Sequence, residues 1–536
     1  MSSKVLNINV GLLGHIDSGK TSLAKALSTT QSTSCYDKSP QSRERGITID
    51  LGFSSVRMSC PKHLIPETDP LAAGVGGTDA VTSDWTLQMT FVDCPGHSSL
   101  IKTIVGGAQI IDIMVLVVDV MKGIQTQTAE CLVIGAITCD KLVVALNKVD
   151  LIPENKREIA VEKMSKRIAK TLENTRFKSA PIIAVAAHPT DQNEHNANTA
   201  GSVESDVISD AIGIEALLNT ICQQISYPKR SPKGELILSV DHCFSIRGSG
   251  TVLTGTIIQG SIAVNDPQTQ CVKLGFDDLA PQQSSPGFMS AVYAVIASLN
   301  TIAYYKGKYA TKAKFHISVL HETVIAKSTF FKITDQSTNN CDNSFDFERQ
   351  YSYVEELDKD FDPKQYFVLL EFERPVILNT GALYIASKLD TDIHANVCRL
   401  AFYGNILKTF CDKNYAENDL QNVKIFKMKS KEGIVDRISN EYEVIVKNLL
   451  KKETNVQNFV GLRVVLSSGD EGVIDGGFGQ SGKVKVRIPN GIQDKSLISS
   501  SKKKQTNNEN SNNTQIKALL QFKRYIYDSH KKMIQN

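Results

Sequence analysis

No stretch of this chain is both long enough and apolar enough to span a bilayer. The most apolar run, IDIMVLVVDV at residues 111–120, is about half the length a membrane helix needs. A buried parallel strand accounts for it better. The opening VLNINVGLL is broken by Asn and Gly and runs straight into a motif, so no signal peptide is expected. Metal-type cysteine pairs are missing too. The eleven cysteines are scattered and none forms a CxxC, which argues against zinc and for free thiols in a reducing cytosol. Net charge is slight, +3 over 536 residues, with 41% hydrophobic and 22% charged residues. That is the composition of a soluble globular protein, long enough for three or four domains. The charge is uneven, however. Residues 424–536 hold 21 Lys and Arg against 11 Asp and Glu, a net of +10, which leaves −7 for residues 1–423. A basic C-terminal part on a mildly acidic body points to a polyanionic partner, and a solubilising tail explains the charge equally well.

What is present is a change of pattern along the chain. From Val5 to Ile225, β-branched runs (NINVGLL, TLQMTFVD, IMVLVVDV, KLVVALN, PIIAVAA) alternate with stretches of helical spacing. This predicts a mostly parallel, doubly wound α/β domain over residues 1–228, closed by the helix IEALLNTICQQI. Flexible insertions are expected at about 60–84 and 188–212, where Pro, Gly and polar residues interrupt the pattern. After the linker YPKRSPKG, short strands punctuated by glycine predict all-β units. These are a β-barrel over 234–300, a second over 308–423, and a basic β-rich domain over 424–536. The last holds a disordered stretch at about 498–514, and LLQFKRYIYDSHKKM is expected to return to it as a final strand.

Three short motifs carry the chemistry. GHIDSGKT matches GxxxxGK[ST] through Gly14, Gly19, Lys20 and Thr21, between a strand and a helix start. Its backbone N–H groups, those of Asp17 and Ser18 among them, are placed to close around phosphates, with the helix terminus adding positive charge. Lys20 is expected to reach the β- and γ-phosphates and the Thr21 hydroxyl to hold Mg²⁺. DCPGH puts Asp93 in the Mg²⁺ shell and the Gly96 N–H on the γ-phosphate. NKVD places Asn147, Lys148 and Asp150 after another strand. An aspartate there accepts the ring N–H and the amino group of guanine together. Adenine lacks that pair, so GTP and GDP are selected over adenine nucleotides. RERGITIDLGF supplies Thr48 as a second hydroxyl for Mg²⁺, made only when the γ-phosphate is present. His97 follows Gly96 directly, where it would position the attacking water; a structural histidine is the plainer alternative, and its position favours the catalytic one.

Taken together, GHIDSGKT, RERGITI, DCPGH and NKVD resemble the translational GTPases of the elongation factor Tu type, and DHCFSIRGSGTVLTGTI resembles their second-domain opening. Longer blocks narrow the likeness. SRERGITIDLGF, CPGHSSLIKTIVGGAQIID, KAKFHISVLHETV, LDTDIHANVCRLAFYG and KKETNVQNFVGL resemble the eukaryotic selenocysteine-specific elongation factors, extra C-terminal domain included. The resemblance implies a GTP hydrolase that delivers selenocysteinyl-tRNA to the ribosome at recoded UGA codons. It implies a cytoplasmic monomer with no membrane partner. Its C-terminal domain would meet the selenocysteine-insertion RNA element, the protein bound to that element, or the tRNA arm. Lys447, Lys451, Lys452, Lys483, Lys485 and Arg487 are candidates for that contact, and as rim charges they are equally often only solvated. The resemblance also puts the backbone of Ala186 and Ala187 against guanine, and Asp241 and His242 in the aminoacyl pocket. A selenol is largely ionised at pH 7 where a thiol mostly is not, so a positively charged pocket separates selenocysteine from serine and cysteine. Rival readings are an initiation-type tRNA carrier and the GTPase subunit of a sulfate-activating enzyme.

The likeness breaks mainly at one place, and a smaller departure is His188 in VAAH, where the family often has Lys or Leu. After residue 263 the chain departs from the family, over about residues 264–286, and the strand bearing the family's Gly-Asp-Arg-type arginine has no counterpart. Either this reflects a deletion or a mis-assembled coding sequence, which we favour, or the pocket is built otherwise.

Overall fold

The computed structural model describes residues 4–31, 51–65, 85–96, 101–187, 211–228, 236–246, 250–262, 290–320, 322–334, 345–358, 361–390, 397–479, 482–493, 516–528 and 533–535. The first unit is an α/β domain. Its strands are β1 (Lys4–Leu13), β2 (Thr30–Gln31), β3 (Gly52–Ser59), β4 (Trp85–Asp93), β5 (Ile113–Asp119), β6 (Leu142–Asn147) and β7 (Ile182–Ala184), in the order 2-3-4-1-5-6-7. β4, β1, β5, β6 and β7 run parallel, and β3 and β2 form an antiparallel edge. Every residue of β5 is buried, as a strand covered on both faces must be. Its even-numbered side chains, such as Leu116, join one core with residues of α2 (Ile101–Ala108), α3 (Thr126–Thr138) and α4 (Glu154–Leu172). Its odd-numbered ones, such as Val115 and Val117, join the other, with α1 (Lys20–Leu27) and α5 (Ile214–Gln224). The start of the expected insertion at 60–84 is anchored, because Cys60 and Leu64, the latter on a short 3-10 turn, enter the α1–α5 core. Residues 66–84 and 188–210 lie outside the described residues.

The β-rich part is organised differently from the sequence expectation. β8 (Ile237–Ile246) and β9 (Gly250–Gln259) pair with each other and with no third strand among the described residues. β10 (Ser290–Ser298), expected at the end of the second barrel, belongs to the third domain. Its residues 294–297 are all buried. They feed two cores, Ala294 and Ile296 one and Val295 and Ala297 the other, so the strand needs neighbours on both sides. It finds them in the strands numbered β15 and β17 below.

The third domain continues with β11 (Asn300–Thr301), β12 (Lys314–Val319), β13 (Glu322–Ile333), β14 (Tyr351–Val354), β15 (Tyr366–Leu378), β16 (Leu383–Ser387) and β17 (Leu400–Phe410). The order 12-16-17-10-15-13, closed by β12–β13 pairing, makes a barrel. A second closed barrel follows: β18 (Ile425–Asn440), β19 (Glu443–Lys447), β20 (Arg463–Leu466), β21 (Glu471–Phe478), β22 (Lys483–Arg487) and β23 (Lys517–Tyr525), in the order 18-19-22-21-20-23 with β23 back on β18. The returning C-terminal strand is therefore present as β23. The stretch at 498–514 lies outside the described residues.

The two barrels are seamed by backbone. β14 and β18 pair in parallel, and Tyr351 N–H donates to Lys424 O at 3.0 Å. Tyr527 packs with Phe331, Tyr351 and Phe367 of the third domain.

Candidate nucleotide site

The motifs lie at the carboxyl ends of parallel strands: GHIDSGKT after β1, DCPGH after β4, NKVD after β6 and Ala186–Ala187 after β7. That edge, where neighbouring strands connect to opposite faces, is where open α/β sheets bind ligands.

The phosphate loop is shaped by its glycines and its lysine. Gly19 precedes α1 at φ 88°, and a Cβ there would fall 2.3 Å from Asn147 Nδ2. Only glycine meets both conditions. Lys20 is buried, and its ammonium donates to the carbonyls of Gly14 at 3.2 Å and His15 at 2.8 Å. Burial holds its pKa below the ordinary 10.5, against the opposing pull of Asp93. Asp17 takes φ 59°, a left-handed turn inside the loop. The hydroxyl of Ser18 is buried with no hydrogen-bond partner among the described residues.

Across the loop, Thr21 Oγ1 donates to Asp93 Oδ2 at 2.6 Å. A hydroxyl and a carboxylate brought together at a helix N-terminus are the hard oxygen donors Mg²⁺ takes. Gly96 closes the site from the β4 side. A Cβ on it would sit 2.4 Å from Lys20 Nζ and 2.9 Å from the Ile16 backbone, so the cradle tolerates no side chain there.

On the far side, Asn147 ties the base loop to the phosphate loop. Its Nδ2 donates to Ser18 O at 3.0 Å, and its Oδ1 accepts from Ala187 N–H at 3.3 Å. Asn147, Lys148, Asp150, Ala187 and Gly19 line a cavity of about 250 Å³. Ala186 is held by a two-way backbone bridge to Ile212.

One residue here escaped the sequence reading. Asp119, at the end of β5, accepts Lys148 Nζ at 3.0 Å and the N–H groups of Met121 and Lys122 at 2.8 and 3.2 Å. It thereby fixes Lys148, whose φ is 67°. Burial pushes its carboxyl pKa up, but Lys148 and the two amides outweigh this and hold it below its ordinary 3.8. The signal was available: an acid ending an otherwise apolar, fully buried strand.

Thr48 and His97 lie outside the described residues. Asp241 and His242 fall on β8 at a β-bulge, where the register with β9 slips between Val240 and His242. In the fourth domain, Lys447 and Lys483 pair with Asp436 at 3.4 and 2.7 Å, and Lys485 pairs with Glu443 and Asp475. These acids offset three of the six candidate cations; Lys451, Lys452 and Arg487 are exposed.

Comparison with known proteins agrees with this geometry. Residues 6–227 match the elongation factor Tu GTP binding domain, and residues 296–404 the third domain of eukaryotic selenocysteine-specific elongation factors. Residues 421–531 match the eEFSec C-terminal RIFT domain. The selenocysteine-specific elongation factor of Mus musculus is 43% identical, with 100% of each chain covered. That of Methanocaldococcus jannaschii is 28% identical over 90% of this chain and 94% of its own. The crystal structure of the elongation factor SelB of Methanococcus maripaludis with the GTP analogue GppNHp shares the fold. It has a TM-score of 0.58 at 21% identity and covers 97% of this chain and 99% of its own. No helix among the described residues is long and apolar enough to cross a membrane. With a phosphate cradle and a base loop at the strand ends and a full-length relative at 43% identity, the chain belongs to the selenocysteine-specific elongation factors, a family of translational GTPases.

Proposed function

We propose that the GTP-bound chain carries selenocysteinyl-tRNA to the ribosome at UGA codons read as selenocysteine, and lets go on hydrolysis. The observation that supports this most is similarity along the whole chain, fourth barrel included. It favours the family over an initiation-type carrier or a sulfate-activating subunit. In this reading Thr21, Asp93 and Thr48 hold Mg²⁺, which when bound offsets the charge on the phosphates. Lys20 and the Gly96 N–H face the γ-phosphate, and Asp150 reads guanine. His97 orients the water that attacks the γ-phosphate, and loss of that phosphate frees the Thr48 loop. Asp241 and His242 face the aminoacyl group.

The alignment with the mouse protein runs to 607 positions against 536 residues here. The relative therefore carries chain that this sequence lacks, and we place part of it at residues 264–286. The fourth barrel docks the selenocysteine-insertion RNA, its binding protein or the tRNA arm, with Lys451, Lys452 and Arg487 as its available cations. The protein acts in the cytoplasm as a monomer.

Filter binding tests the reading. Purified protein with GTP is offered selenocysteinyl-, seryl- and initiator methionyl-tRNA. Retention of selenocysteinyl-tRNA alone, lost with GDP, is the expected result. Retention of initiator tRNA instead, or of no tRNA, overturns it.

A further inference from the structure

The face between the GTPase domain and the third-domain barrel holds a buried ion pair that the nucleotide chemistry does not use. Arg399, just before β17, meets Glu130 on α3. Nε donates to Oε1 at 3.0 Å, Nη2 to Oε2 at 2.7 Å, and the Arg399 backbone N–H to Oε1 at 3.4 Å. Both residues are buried, at 6% and 7% exposure. A buried ion pair contributes little stability over well-packed apolar side chains, and its best-attested use is to specify one arrangement over others.

The surroundings say which arrangement. The same turns of α3 hold the phosphate loop from the other side: Gln127 Oε1 accepts from Ile16 N–H at 3.4 Å, and the Gly14 backbone lies within hydrogen-bonding reach of Cys131. A second tie runs from the end of α2, the helix after DCPGH, where Gln109 Oε1 accepts from Leu320 N–H at 2.9 Å. Around the ion pair the interface is not filled. A cavity of about 820 Å³, lined by Val133, Ile137, Tyr304, Cys398 and Tyr403 among others, separates α3 from the barrel. The two bodies also share apolar packing, because Ile302, Ile385 and Leu400 of the third domain are buried in the core that α3 helps to form, so the ion pair is the directional element of a partly filled face. Interfaces of this kind are the ones that repack between states.

We propose that Glu130 and Arg399 are positioning residues that transmit the state of the phosphate loop, through α3, to the third barrel. Neither residue lines the cavity beside Asn147 and Asp150. Their role rests on the reading that the barrels respond to GTP, and its test is separable from tRNA binding.

Hydrogen–deuterium exchange of the full chain is compared with GppNHp and with GDP, for wild type, E130Q, R399Q and the double variant. In the wild type, peptides from α1 and from residues 397–410 both respond to the nucleotide. In each single variant the α1 response stays, while the response at 397–410 falls at least about fivefold, the lower end of ordinary coupling energies. The double variant matches the single ones, because the pair acts as a unit. The inference is overturned if 397–410 responds as in wild type in the single variants or shows no nucleotide response in the wild type. It is also overturned if α1 loses its response together with 397–410, or if the two substitutions add. Failure of wild-type tRNA retention in the filter assay, with these exchange results intact, overturns the carrier reading alone.

Discussion

Replacing Gly96 by alanine is the sharpest probe of the γ-phosphate contact. The added Cβ would fall 2.4 Å from Lys20 Nζ and 2.9 Å from both N and Cα of Ile16. The ammonium can swing away, but only by giving up carbonyl contacts at 2.8 and 3.2 Å inside a buried site. The Ile16 backbone is part of the phosphate loop and moves only with His15 and Asp17. Relief therefore displaces either the lysine or the Gly96 N–H from the place proposed for it beside the γ-phosphate. A hydrogen bond to a charged group contributes about 1.5–3 kcal/mol, so losing one weakens triphosphate binding roughly 10- to 140-fold. GDP has no γ-phosphate and loses less. Calorimetric titration with GppNHp and with GDP, in Mg²⁺, measures both. An analogue affinity within about twofold of wild type, or a GDP loss as large as the triphosphate loss, refutes the argument.

Three further outcomes follow from the same geometry. Asn147→Ala cuts the tie between base loop and phosphate loop, which costs about 1–3 kcal/mol of stability; urea unfolding followed by Trp85, the sole tryptophan and a β4 residue, reads it. Asp150→Asn removes the acceptor proposed for the two guanine donors, so binding is expected to shift from GTP towards xanthosine triphosphate, measured by competition. Asp119→Asn lowers the melting temperature at pH 7. Because the folded carboxyl titrates below its ordinary 3.8, its contribution is complete above that pH and is lost as pH falls through the lower folded value, so the two melting temperatures converge in acid.

Much of the nucleotide site was legible because its parts are local. A glycine at φ 88°, a lysine one residue later and an asparagine at a strand end are each read from a few neighbouring letters. Asp119 was harder, since its role depends on Lys148, which only the β5–β6 pairing brings near. The Glu130–Arg399 pair joins residues 269 positions apart and no short pattern announces it. β10 was misplaced for a related reason. Its apolar letters specify a central strand, but not which barrel supplies its neighbours, and those, β15 and β17, lie about 70 residues or more further along. The second domain remained the least legible part, because the segment after residue 263 carries little of the alternation from which strands are read.

The backbone seam between β14 and β18 has a mechanical consequence. Tyr351 and Ser352 run alongside Ile425 and Phe426 in one ladder, and Tyr527 is sunk into the neighbouring aromatic cluster. Bending at this joint would break the main-chain hydrogen bonds of that two-residue ladder and lift Tyr527 from the aromatic cluster, so the seam resists relative motion of the two domains.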